Sequence, residues 1–399
     1  MFSSIPGIAQ HTPGFRINPK TLLRFSEFVP RLYNYCVGPL GMKHELIMPA
    51  RAFCSDGSQG YPTIVMAKIF GTFPFDYGMI GGLMDFGRTP AFITHGRDLV
   101  IVQATHVGYD PIKKSFGKYP RHRASVDTST LCETSNCGHV GAILNPYKLS
   151  YRSAGKHTYV SRNSANGKCE ISINDFFLEN PPRYPKSIKL DISRMVGNQS
   201  EELVTTTPVS RTFHVAENFQ KHLNRFAQFQ NLTPGQKVSI GDALTPEWFS
   251  FVTKDPLHGF EKNIYDVMPW AVTHPEPMLA AAQACAQAEF HRILVEFYYS
   301  KNAFEGRRLI YVSGINIDVA PSQEQIRSGA FFPRTYYVPW AAMVQRIDPH
   351  TNKQISEVWN QEKLLEEFQK VPASAESSLQ LDPEIRQLRT LPPVDFPTF

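Results

Sequence analysis

Asp98-Leu-Val-Ile-Val-Gln-Ala-Thr-His106 is the clearest strand in this chain and the stretch from which the rest is read. It is a β-branched apolar run of the kind buried on both faces of a parallel sheet, and it closes on a histidine. Upstream, Leu46 to Phe53 is a second short apolar strand that ends at Cys54. The turn-rich Ser-Asp-Gly-Ser-Gln-Gly follows it, and then a helix-like run from Tyr61 to Phe70. Strand, loop and helix in that order predict an α/β fold with a mostly parallel sheet flanked by helices. Ligands of open α/β sheets bind at the carboxyl ends of the strands. Cys54 and His106 are both delivered there.

Further out, Leu22, Leu23, Phe25, Phe28, Val29, Leu32 and Tyr33 recur at three and four, which predicts an amphipathic helix over Leu22 to Tyr35. Residues 110 to 135 are basic and polar and read as a long loop. Asn136-Cys137-Gly138-His139 then opens an apolar helix. Residues 150 to 215 are mixed and broken by Pro181, Pro182 and Pro185, so an insertion is expected over about 150 to 260. An Ala-rich helix from Glu276 to Tyr299 and a strand from Arg308 to Val319, interrupted at Gly314, return the chain to the sheet. Beyond about 345 the sequence predicts one helix, Ser356 to Lys370, and a Pro-rich docking tail. The expected organisation is an arm over 1–20, a main α/β domain over 21–345 carrying the insertion, and a C-terminal extension over 346–399.

Composition narrows the function classes. With 42% hydrophobic and 12% aromatic residues the chain can bury a large core, and no stretch approaches the roughly 18 apolar residues of a membrane span. The start, MFSSIPGIAQHTPGF, lacks a basic segment followed by an apolar run, so a cytoplasmic address is the default expectation. Six cysteines in 399 residues are too sparse for a disulfide scaffold. The basic cluster Lys113, Lys114, Lys118, Arg121, His122 and Arg123 comes with no nucleic-acid motif, so no nucleic-acid partner is expected. A solvated loop is the favoured reading of that cluster; an anion-attracting rim beside an active site is the second. Neither a G-x-G-x-x-G nor a Walker pattern is present, so Gly81, Gly82, Gly108 and Gly138 read as sites of tight backbone packing.

Catalytic zinc wants three protein ligands and leaves a fourth position to water. Cys54, His106 and Cys137 form such a set if their three elements meet. As bare residue types they are equally core cysteines and a hydrogen-bonded histidine. The words around them sharpen the choice: Cys54-Ser-Asp56, Met79-Ile-Gly81-Gly82-Leu83, Ala91-Phe92-Ile-Thr-His95, His106-Val-Gly108-Tyr-Asp110 and Asn136-Cys137-Gly138. In that order they resemble the limiting-CO2-inducible B family, a divergent branch of the β-carbonic anhydrases. Ser313-Gly-Ile-Asn-Ile317 and the Phe-Phe-Pro at 331–333 resemble its closing strands.

The resemblance implies a β-carbonic-anhydrase-like fold, a homodimer and the reversible hydration of carbon dioxide to bicarbonate. It makes Cys54, His106 and Cys137 the zinc ligands and Asp56 the acidic partner of the activated water. Two departures stand out. The family's Cys-Cys-Gly is here Asn136-Cys137-Gly138, which leaves Cys132 as the fallback ligand. The arginine that usually follows the aspartate by two residues is here Ser58, so Arg51, Arg88, Arg121 or Arg123 would have to replace it. His95, His122 and His139 are candidate proton relays, since imidazole titrates near neutrality. Two alternatives stay open: a hydrolase of carbon disulfide or carbonyl sulfide on the same fold, and a zinc-stabilised scaffold or bicarbonate-sensing subunit.

Overall fold

The computed structural model describes residues 17–18, 20–88, 97–122, 131–135, 137–174, 186–197, 203–206, 210–253, 255–321 and 334–373. Most of the expected arm, the Pro-rich tail, His95, Arg123 and the Phe-Phe-Pro at 331–333 lie outside them. The chain divides into two compact units, 1–141 with 278–399, and 142–277.

The first unit is built on one mixed sheet flanked by helices. Its strands are β1 (Ile47–Phe53), β2 (Phe75–Asp76), β3 (Asp98–Asp110), β4 (Leu309–Val319), β5 (Arg334–Ile347) and β6 (Gln354–Trp359). The spatial order runs from the short strand Leu23–Arg24 through β5, β4, β3 and β1 to β2, with β6 also pairing β5. The neighbours β4, β3, β1 and β2 are parallel, whereas β5 pairs antiparallel with β4 and β6. All residues of β3 and β4 are buried, as the Val- and Ile-rich composition of both segments predicts.

Side chains alternate strictly between the two faces. Leu99, Ile101, Val107, Tyr109, Tyr311, Ile315, Ile317 and Val319 join α4 (Pro277–Tyr299) through Ala282, Ala286, Phe290 and Phe297. Val100, Val102, Ala104, Ile310 and Val312 face α1 (Phe25–Val37), α2 (Gly60–Phe70) and α5 (Gln361–Gln369), through Phe28, Val65, Leu364 and Phe368. Each such buried aliphatic side chain contributes about 1.5–3 kcal/mol, so the sheet's position is fixed by dozens of contacts rather than by any one. The interruption at Gly314 has a steric cause. A Cβ there would lie 2.3 Å from the Val338 carbonyl oxygen and 2.7 Å from the Tyr337 ring, and the β4–β5 register shifts beside it.

Three differences from the sequence reading are physical. The strand that opens at Asp98 does not close on His106 but continues to Asp110, because β4 pairs with it as far as Val319↔Tyr109. The stretch 110–135 is not a plain loop: Ser115–Phe116 pairs with the end of β3, and Lys118–His122 pairs antiparallel with Leu131–Ser135. Ser356–Trp359 is strand instead of helix. Asn360 caps α5 by accepting from the Lys363 amide at 2.9 Å, so the helical period begins only after it.

The second unit holds a five-stranded sheet in the order Leu203–Thr206, Ser210–His214, Cys169–Asn174, Thr158–Arg162, Lys237–Ser239, every neighbour antiparallel. Lys186–Leu190 and Phe249–Thr253 pair separately. A buried polar cluster, Tyr147, Lys186 and Glu261, joins these elements: the Tyr147 hydroxyl donates to Glu261 at 2.5 Å and Lys186 Nζ lies 2.6 Å from the same oxygen.

Candidate metal centre

On the face of the sheet that carries Val100, Val102 and Ala104, the side chains turn polar toward the strand ends. His106 follows Ala104 on β3, and Asn316 and Asp318 follow Val312 and Gly314 on β4. In the parallel register His106 sits level with Asn316, and Gly108 level with Asp318. Gly108 has no side chain to occupy its place, so the imidazole can lean toward the carboxylate. The opposite face ends apolar, at Val107, Tyr109 and Val319.

Cys54 is the first residue past β1, and Cys137 immediately precedes α3 (Gly138–His157). Together with His106 they bring three potential ligand atoms within 4.8 Å of one another. All three residues are buried, at 4%, 1% and 1% exposure. A tetrahedral zinc with Zn–S of about 2.3 Å spaces its sulfurs about 3.8 Å apart, so closing on an ion needs only a small inward movement.

The histidine is wired for one nitrogen. Its Nδ1 lies 3.2 Å from Asp318 Oδ2 and 3.5 Å from Ser58 Oγ. Its Nε2 is buried with no hydrogen-bond partner among the described residues. An orphaned buried nitrogen is costly unless something supplies a partner. Two sulfurs beside it make a soft donor set of the type that suits zinc. Burial alone would lower the His106 pKa, but the facing Asp318 carboxylate and the nearby Cys54 sulfur outweigh it and hold it up to about 9. The Cys54 thiol is lowered to about 4, first by the hydrogen bond from Cys137 and then, against burial, by His106 and the Gly81 amide. Cys137 is pushed far up by the same contact with the Cys54 thiolate and by burial.

A glycine turn, Ile80–Gly82, supports Cys54 from above. The Gly81 amide donates to Cys54 Sγ at 3.2 Å, and Gln103 Nε2 donates to the Gly82 carbonyl at 2.8 Å. Gly82 has a φ of 78°, and a Cβ on it would sit 2.1 Å from the Ala104 carbonyl oxygen. Only glycine lets the turn lie this close to β3. The far end of the turn is clamped by Glu289, which is fully buried, accepts from the Met84 amide at 2.6 Å and pairs with Arg292.

The other sequence candidates distribute as follows. Asp56 is half-buried and its Oδ1 accepts from the Ser58 amide at 2.9 Å, capping the short turn Gly57–Gln59. Arg51 is engaged with Asp76 at 2.7 Å. The side chains of Arg88, Arg121, His122 and Cys132 lie outside the described residues, as do Arg123 and His95. His139 is exposed on the first turn of α3. Sequence reading missed Asp318, Gln59, Asn316 and Thr335. An acid two residues after Asn316 in an otherwise apolar strand was the available signal for the first.

These features define an α/β protein with a mainly parallel central sheet and a buried Cys-His-Cys group that could hold a metal ion. No family model matches the sequence, and no curated protein matches it. Among solved structures the chain is similar to PtLCIB4, a homolog of the limiting CO2-inducible protein LCIB, at 11% identity over 89% of this chain and 99% of that one, with a TM-score of 0.44. It is also similar to the limiting CO2-inducible protein LCIB itself, at 12% identity over 87% and 96%, with a TM-score of 0.35.

Proposed function

We propose that Cys54, His106 and Cys137 hold one zinc ion per chain and that the protein hydrates carbon dioxide reversibly to bicarbonate. The observation that carries this reading is the buried His106 Nε2, unpartnered among the described residues, beside two cysteine sulfurs toward the carboxyl edge of a parallel sheet. Zinc bound there would supply hydroxide at neutral pH, by lowering the pKa of water from about 15.7 towards about 7.

The chain's own residues then divide the work. Two cysteine thiolates cancel the ion's formal charge, which leaves it a weaker acid than one held by three neutral imidazoles, so an acceptor for the water's proton is required. Asp56, two residues past Cys54 on the same turn, is assigned that role, its carboxylate steadied by the Ser58 amide. Ser58 stands where an arginine would draw the aspartate aside, and its hydroxyl instead faces His106 Nδ1 and accepts from Gln59 Nε2 at 3.1 Å. His95 and His139 are proposed to relay the product proton to solvent. The test is stopped-flow hydration of carbon dioxide by zinc-loaded protein with a matched zinc-free control. Zinc-dependent turnover supports the reading. Stoichiometric zinc with no turnover would leave a zinc-stabilised, non-enzymatic subunit.

A further inference from the structure

One network in the first unit has no part in the ligand set, yet every one of its members is buried. Asp318 is 4% exposed, Gln59 1%, Thr335 4% and Asn316 0%. Thr335 Oγ1 donates to Asp318 Oδ1 at 2.9 Å from the antiparallel neighbour, where the two residues are register partners. Gln59 Nε2 donates to Asp318 Oδ2 at 2.9 Å, and the Gln59 carbonyl accepts from Asn316 Nδ2 at 2.7 Å. Asp318 Oδ2 is also the atom facing His106 Nδ1 at 3.2 Å. So one carboxylate receives a hydroxyl from β5, an amide from the loop after Cys54 and the imidazole of β3.

A carboxylate ionised at neutral pH is acceptor-only, and its two oxygens are met here by donors on three sides. It can therefore bond to His106 only through an N–H, which keeps a proton on Nδ1 and leaves Nε2, toward the cysteines, as the nitrogen that gives up its proton to take a ligand. A histidine free to choose its tautomer would spend part of its time with Nε2 protonated and closed to a ligand. The buried amide of Gln59 adds a second constraint. It ties the loop that follows Cys54 to the same oxygen that holds His106, so two of the three sulfur and nitrogen donors move as one piece.

We infer that Asp318, held by Thr335 and Gln59, is the positioning residue that fixes His106 with Nδ1 protonated and Nε2 presented between Cys54 and Cys137. This rests on the zinc reading for its consequence, a preformed site, but not for its geometry. Partners of this kind are worth roughly 10–100-fold in metal affinity when they hold a ligating histidine.

The test uses the full chain with 15N-labelled histidine, as wild type, Asp318→Ala, Asp318→Asn and Thr335→Val, with His106→Gln to assign the resonance. Zinc affinity is read by competition with a chromophoric chelator, and the protonated nitrogen by imidazole 15N shifts and N–H exchange. The expected result is a protected Nδ1 proton in wild type, its loss in Asp318→Ala with zinc bound about 10–100-fold more weakly, and retention in Asp318→Asn, whose amide oxygen can still accept. Thr335→Val, which frees the carboxylate without removing it, should weaken zinc less than Asp318→Ala and keep the Nδ1 proton. Should Asp318→Ala not fold, the Asn and Val variants carry the comparison. An Asp318→Ala protein with wild-type affinity and an unchanged Nδ1 proton would overturn the inference. A wild type that takes up no zinc sinks the metal reading alone, since the Nδ1 proton of the metal-free protein, protected in wild type and exchanging in Asp318→Ala, still decides the positioning.

Discussion

Cys137 has a backbone φ of 43°, in the left-handed region that residues with a Cβ rarely adopt, at a cost of roughly 1–2 kcal/mol. The chain accepts this conformation at the one step where it turns to start α3 and swings a sulfur to Cys54. Replacing any donor should lose the ion: Cys54→Ser, His106→Ala and Cys137→Ser are each expected to emerge without stoichiometric zinc, because two protein ligands hold it too weakly. Metal analysis of the purified variants checks this, and zinc retained by Cys137→Ser but lost from Cys132→Ser would transfer the third ligand. Loading should also release protons. With Cys54 lowered to about 4 it is already a thiolate at pH 7, whereas His106, held up to about 9, and Cys137, pushed far up, must each shed one. Acid therefore opposes binding, and apparent affinity should rise with pH from 6 to about 9 in buffer-dependent calorimetry; an affinity flat across that window would contradict the assignment. For Asp56 the expectation is that Asp56→Asn lowers carbon dioxide hydration about a hundredfold while zinc content is unchanged. Undiminished turnover in that variant would remove Asp56 from the mechanism.

At the scale of elements, the turn Ile80–Gly82 reaches Cys54 through the Gly81 amide, and Glu289 and Arg292 of α4 hold the chain just past it at Met84. Arg292→Ala would leave the fully buried Glu289 carboxylate without its cation, so a destabilisation of about 3–5 kcal/mol is expected in denaturant titration. A loss below about 1 kcal/mol would mean that water reaches the carboxylate. The strands and helices that build the sheet were legible in sequence because their periods are set by burial on two faces: β1, β3 as far as His106, α2, α4 and the break at Gly314 all follow from apolar-rich runs and one missing side chain. Of the candidate site only the cluster Cys54, His106 and Cys137 was legible, since Cys54 directly follows one of those strands and His106 lies on another. Asp318 and Gln59 were not, because a polar residue in a strand declares its partner only when register sets it beside another; nothing in the order of letters places Asp318 opposite Gly108 and Thr335. The stretch from Ser356 was misread for a local reason. The helix expected from Ser356 begins only at Gln361, because the Asn360 side chain caps it there.

At the scale of the whole molecule, the donors Cys54, His106 and Cys137, their supports and the sheet all belong to the first unit, and the second, 142–277, contributes no member to the cluster among the described residues. We propose that the second unit and the tail serve assembly or partner binding, and that the chain forms a homodimer. Removing residues 374–399 should leave zinc content unchanged while altering size or solubility in ultracentrifugation; a truncated, folded protein that has lost its metal would refute this. No described helix is long and apolar enough to cross a membrane. The most direct measurement of the central claim is zinc K-edge absorption on the full chain purified with one equivalent of the metal. The account requires a first shell of two sulfurs at about 2.3 Å and a nitrogen at about 2.0–2.1 Å, with one further light donor; a shell without sulfur, or no tightly held zinc at all, would contradict it.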